Sequence, residues 1–106
     1  MVNEITVKEL KALIDSESEF QLIDVREEFE YNIANIDAEL IPMKTIPQNI
    51  DKIHKDKKVV IHCRSGKRSA DIIEYLQEFH HFDNLYNLKG GILAWSDEVD
   101  SSVQKY

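Results

Sequence analysis

Glycine and proline are scarce in this chain, with three and two residues among 106. No internal repeat, linker or low-complexity stretch interrupts it, and regular elements are expected almost throughout. There is one cysteine, so no internal disulfide can form and nothing calls for an oxidising compartment. No apolar run approaches the roughly 20 residues of a membrane-spanning helix. The first residues, Met1-Val2-Asn3-Glu4, lack the basic and apolar regions of a signal peptide. A cytoplasmic location is therefore expected. Positive charge is also short: 13 Lys and Arg against 20 Asp and Glu give a net charge of −7, which disfavours nucleic-acid binding, since that calls for a basic surface. A length of 106 residues, 42% hydrophobic and 31% charged, fits a single domain over residues 1–106 with one core.

The helix and strand signals alternate. Thr6-Val7-Lys8-Glu9 reads as a capping box, followed by Leu10, Leu13 and Ile14 at helical spacing. Phe20 to Val25 reads as a buried strand, Glu27 to Asn35 as a short helix or turn, and Leu40-Ile41 as a brief strand stopped by Pro42. Pro47 suits the first turn of a short helix over 48–54. Val59 to His62 reads as the central strand, 69–79 as a helix with the stripe Ile72, Ile73, Leu76 and Phe79, and Asn84 to Leu88 as another strand. Gly90-Gly91 then turns the chain into Ile92-Leu93-Ala94-Trp95, and 101–106 is expected to fray. Strands alternating with helices imply an α/β fold, a small parallel sheet with helices on both faces, with ligands at the carboxyl ends of its strands.

The lone cysteine, Cys63, sits at such an end. It closes the run Val59-Val60-Ile61-His62 and opens Arg64-Ser65-Gly66-Lys67-Arg68-Ser69, which leads into a helix. The N–H groups of a first helical turn stabilise negative charge, and Arg64, Lys67 and Arg68 add to that field, so the thiolate form of Cys63 is favoured as a nucleophile. Gly66 lets the loop backbone approach the sulfur closely, and Ser69 is placed to cap the helix and to hydrogen-bond the sulfur. His62 points to the opposite side of the strand and is not expected to be a catalytic partner. Trp95 reads as a core anchor, and Tyr31, Tyr75 and Tyr86 as core or half-core. His54, His80 and His81 lie in no ligand constellation, so neither metal nor cofactor is expected.

Three motifs resemble the single-domain rhodanese family of sulfurtransferases: Leu22-Ile23-Asp24-Val25-Arg26-Glu27 with Glu30-Tyr31, Cys63 through Ser69, and Gly90-Gly91-Ile92-Leu93-Ala94-Trp95. The family's usual glycines between the first motif and the proline are replaced by Ala34-Asn35-Ile36 and Asp37-Ala38-Glu39. The stretch 31–36 is similar to rhodanese modules fused behind adenylylating enzymes for ubiquitin-like proteins. The resemblance implies a three-layer fold, a structural ion pair between Asp24 and Arg26, and a double displacement. Cys63 takes a sulfane sulfur from a small anionic donor such as thiosulfate as a persulfide, and an external thiol or cyanide removes it. Arg64, Ser65, Gly66, Lys67, Arg68 and Ser69 would form the substrate-binding loop. Two other roles are a relay delivering sulfur to a sulfur-carrier or thioredoxin-like protein, and a non-catalytic interaction domain, which retention of Cys63 opposes. Cysteine phosphatases show Cys, five residues, then Arg. Here that position is Ser69 and Arg68 falls one residue early, so phosphate-ester chemistry is disfavoured. With no second thiol, the persulfide must be discharged from outside.

Overall fold

The computed structural model describes all 106 residues. The chain runs β1 (Asn3–Ile5), α1 (Val7–Asp15), β2 (Phe20–Asp24), α2 (Glu28–Ile33), β3 (Glu39–Leu40), two 3-10 turns (Met43–Gln48 and Ile50–Lys52), β4 (Lys58–His62), α3 (Lys67–His80), β5 (Leu85–Leu88) and α4 (Gly91–Glu98). The strands form one parallel sheet in the order β1-β5-β4-β2-β3, with β4 in the middle. The α/β architecture inferred from the alternating pattern is the one observed.

Side-chain alternation in β4 divides the core. Val59 and Ile61 face a cluster completed by Ile72, Ile73 and Leu76 of α3, Ile46 and Ile53 of the 3-10 segment, and Phe82 and Leu85. Val60 faces the other side, packing with Leu10 of α1, Leu88 and Trp95 of α4. Both faces are covered, as a parallel sheet requires. No helix is long and apolar enough to cross a membrane.

The Thr6–Glu9 capping box is present in both directions, at 3.1 and 2.9 Å. Several expectations are corrected. β1 has no sequence signature, because three residues with one inward apolar side chain, Ile5, are too short for periodicity. Pro47 lies inside a 3-10 turn that begins at Met43 rather than opening a helix at 48. Phe79 leaves the buried stripe: it is 63% exposed and stacks on Tyr75. The chain reverses at His81 (φ 58°), and the Phe82 N–H reaches back to the Leu76 carbonyl. That closure delivers Phe82 to the core place instead. Ile14 is likewise partly exposed. The 101–106 segment is tied down rather than frayed: the Ser96 hydroxyl donates to the Val103 carbonyl and Tyr106 returns to the sheet's carboxyl end.

Replacing fully buried Ile73 with Ala is expected to cost about 2–5 kcal/mol, whereas Phe79→Ala costs under about 1 kcal/mol. Denaturant unfolding of the two variants checks this; equal losses would contradict the core assignment.

Candidate active site

Cys63 follows the last residue of β4 and is 1% exposed, so its sulfur lies at the floor of the loop. The Gly66 N–H donates to Sγ at 3.1 Å, and the Ser69 hydroxyl lies 3.3 Å from it. Gly66 has φ +107°, which an L side chain rarely adopts, and its carbonyl receives the Ala70 N–H. The helix therefore starts at Lys67, with Gly66 and not Ser69 at its cap. Ser69 is the third helical residue, fully buried, and its hydroxyl points inward to Asn87 Oδ1 at 2.5 Å and to the sulfur. The hydroxyl carries one proton, so those two acceptors share it.

The outer side of the loop is anchored by its carbonyls. The Cys63 and Arg64 carbonyls accept from Ile92 and Leu93 N–H in the first turn of α4, at 3.0 and 3.2 Å. This approach requires Gly91, where a Cβ would sit 2.5 Å from the Arg64 carbonyl oxygen and 2.6 Å from that of Cys63. Asn87 Nδ2 donates to the Gly66 carbonyl at 3.0 Å. Asn87 was not singled out from the sequence; its signal is a lone polar residue in the strand Leu85-Tyr86-Asn87-Leu88.

The three loop cations are not equivalent. Arg68 forms a bidentate pair with Glu30 of α2, Nη1–Oε1 2.7 Å and Nη2–Oε2 2.9 Å. Arg64 donates through Nε and Nη2 to the backbone carbonyl of Tyr106. Lys67 is exposed, with Asp71 at 3.4 Å one turn along. Ser65 is exposed at the loop tip. Beneath lies a buried network. Asp24 and Arg26, both fully buried, pair through Nε and Nη2 at 2.7–3.1 Å, the structural ion pair expected from the sequence. Arg26 Nη1 donates to the Tyr106 hydroxyl, which donates in turn to Glu30. The His62 ring packs against this pair, Nε2 3.6 Å from Asp24 and Nδ1 3.3 Å from the Cys63 carbonyl, and contributes nothing to the thiol. Burial pushes its pKa down, against the pull of Asp24. Tyr106 escaped the sequence reading because it lies eleven residues beyond the last motif residue, Trp95, in a segment with no periodicity, and Glu30, although part of the first motif, was not assigned as the partner of Arg68.

Residues 6–98 match the model of the rhodanese-like domain. The chain belongs to the rhodanese-like domain family. It is 40% identical over 99 residues to YtwF of Bacillus subtilis, a protein whose name carries the word sulfurtransferase, with 92% of this chain and 94% of that one covered. It is 39% identical to a sulfurtransferase of Allochromatium vinosum, with 91% and 90% covered. It is also 34% identical to MoeZ of Mycobacterium tuberculosis, named as an adenylyltransferase/sulfurtransferase; the alignment covers 96% of this chain but 26% of that protein. The crystal structure of a rhodanese-like domain protein from Staphylococcus aureus superposes with a TM-score of 0.82 at 35% identity, covering 99% of both chains.

Asn87→Ala removes buried partners from the Gly66 carbonyl and Ser69, and unfolding free energy is expected to fall by about 1–3 kcal/mol in a denaturant titration. The Arg68 guanidinium holds the Glu30 carboxyl down to about 2 against the opposing effect of burial. A carboxyl lowered on folding stabilises above its ordinary value of 4.5, and that stabilisation is lost as pH falls toward about 2. The stability gap between the wild type and Glu30→Gln, measured by unfolding at each pH, should therefore be steady above about pH 5 and close below it. A gap independent of pH would contradict the pairing.

Proposed function

We propose that this rhodanese-family chain transfers sulfane sulfur through a persulfide on Cys63, in the manner of a thiosulfate:cyanide sulfurtransferase. The observation that carries the reading is the pair of donors on one sulfur atom at the start of α3: the Gly66 N–H at 3.1 Å and the Ser69 hydroxyl at 3.3 Å. Such a nest stabilises negative charge on a thiolate and then on the terminal sulfur of a persulfide.

The Cys63 thiolate attacks the outer sulfur of thiosulfate, forming the Cys63 S–S bond. The donor's own S–S bond breaks and sulfite leaves with its electron pair. An acceptor such as cyanide then attacks the terminal sulfur, yielding thiocyanate and returning Sγ as thiolate. No proton transfer is needed in either displacement, which agrees with a sulfur that has no general base beside it. Exposed Lys67 on the rim would attract the donor anion. Arg68, held by Glu30, contributes by fixing the loop against α2 rather than by clamping a phosphate, and this weighs further against phosphatase chemistry.

The recessed position of Cys63 favours loading by a small donor. The persulfide's outer sulfur stands about 2 Å further out, where a thiol or a larger acceptor reaches it. A protein acceptor is the second reading, favoured by Phe29, 65% exposed on α2 beside the Glu30 that holds Arg68. Reducing thiols of the cytoplasm would serve as small acceptors.

Cys63→Ser is expected to abolish thiocyanate formation from thiosulfate and cyanide, a loss of at least about 1,000-fold on the scale of a missing nucleophile, while leaving the unfolding midpoint close to wild type. Turnover near the wild-type rate in this variant would overturn the mechanism.

A further inference from the structure

Tyr106 makes more contacts with the loop than a tail residue needs for anchorage. Its backbone carbonyl takes the Nε/Nη2 fork of Arg64, and its ring lies beneath two guanidinium groups, with Arg64 Cζ 5.2 Å and Arg26 Cζ 5.6 Å from the centroid. Its hydroxyl accepts from Arg26 Nη1 at 2.8 Å and donates to Glu30 Oε2 at 2.8 Å. Glu30 in turn fills the Nη1/Nη2 fork of Arg68. Each arginine of the Cys63 loop thus has its bidentate face occupied by a group of the protein, and Tyr106 stands behind both contacts. The two ties differ in strength. Arg68 faces a carboxylate that is itself nearly buried, whereas Arg64 faces the main-chain oxygen of Tyr106 at the exposed edge of the loop. Water screens the exposed contact, so an incoming oxyanion displaces it more readily than it displaces the nearly buried carboxylate.

We propose that Tyr106 is a specificity-determining residue that withholds Arg64 from anionic donors, so that an oxyanion gains the Arg64 fork only by displacing the tail. The proposal rests on Cys63 being the nucleophile and adds a reason why the site would discriminate among donors by charge. With the tail seated, the sulfur is served by the Gly66 N–H and the Ser69 hydroxyl. With the tail displaced, Arg64 adds a fork suited to the paired oxygens of a sulfonate- or carboxylate-bearing reagent.

Alkylation tests this without requiring sulfur transfer, because Cys63 is the sole cysteine and each adduct is read from the intact mass. The measured quantity is the ratio of rates with iodoacetate, an anion, and iodoacetamide, its neutral counterpart. In Tyr106→Ala this ratio should rise about fivefold, the scale of one partly exposed ion contact, and the rise should vanish in Tyr106→Ala/Arg64→Ala. Arg64→Ala alone should change the ratio less than about twofold, since the fork is already engaged. KM for thiosulfate should fall in Tyr106→Ala with little change in kcat. An unchanged ratio in Tyr106→Ala, an equal change with both reagents, or a rise that survives removal of Arg64 would each overturn the proposal. Should Tyr106→Ala fail to fold, a large loss of iodoacetate preference in Arg64→Ala alone would overturn it equally, and a ratio within twofold of wild type would support it. Failure of the wild type to gain sulfur from thiosulfate would sink the sulfur-transfer reading while leaving these ratios to decide the role of Tyr106.

Discussion

The site depends on the outward tethering of the loop carbonyls. Cys63 and Arg64 are held by the first turn of α4, and Gly66 by the Asn87 amide. A peptide unit is planar, so fixing its carbonyl on one side fixes its N–H on the other. These tethers fix the peptide planes on both sides of the Ser65–Gly66 peptide, whose N–H donates to Sγ at 3.1 Å. The same constraint explains why separated sequence motifs share one task. β4 delivers the sulfur, Gly66 turns the loop into α3, and Gly91 admits α4 close enough to hold it from behind.

Under the loop, the fully buried Asp24–Arg26 pair joins α2, the Tyr106 tail and the end of β4. Burying two charges is costly unless nearly every donor and acceptor is met. Here Arg26 donates to Asp24, to the Ala34 and Glu30 carbonyls and to the Tyr106 hydroxyl. The branch through Glu30 ends on Arg68, so part of the loop's positive charge is neutralised from within. The polar contacts to Sγ come from the Gly66 N–H and the Ser69 hydroxyl, while Arg64 and Lys67 keep exposed partners at the rim of the loop.

Much of this was legible in the residues. Val59 to His62 announced the central strand, Cys63 to Ser69 the loop that leads it into a helix, and Thr6 with Glu9 the first helix. What escaped was set by tertiary placement. β1 owes its existence to an open edge beside β5. Phe82 displaced Phe79 from the core because the chain reverses at His81. Ser69 turned from cap to inward hydroxyl because Asn87, eighteen residues away, offered an acceptor. Tyr106 joined the network from a segment with no periodicity at all, and Arg68 was drawn to Glu30 across 38 positions. Local patterns specify elements, but they do not specify which charges meet once those elements pack.

The central claim is that a sulfur atom is carried on Cys63, and intact-mass spectrometry tests it most directly. The purified protein is measured after incubation with thiosulfate and again after cyanide is added. A gain of about 32 Da, one sulfur atom, that is absent in Cys63→Ser and removed by cyanide with release of thiocyanate is the expected result. No gain in mass at a Cys63 that still alkylates would contradict the account.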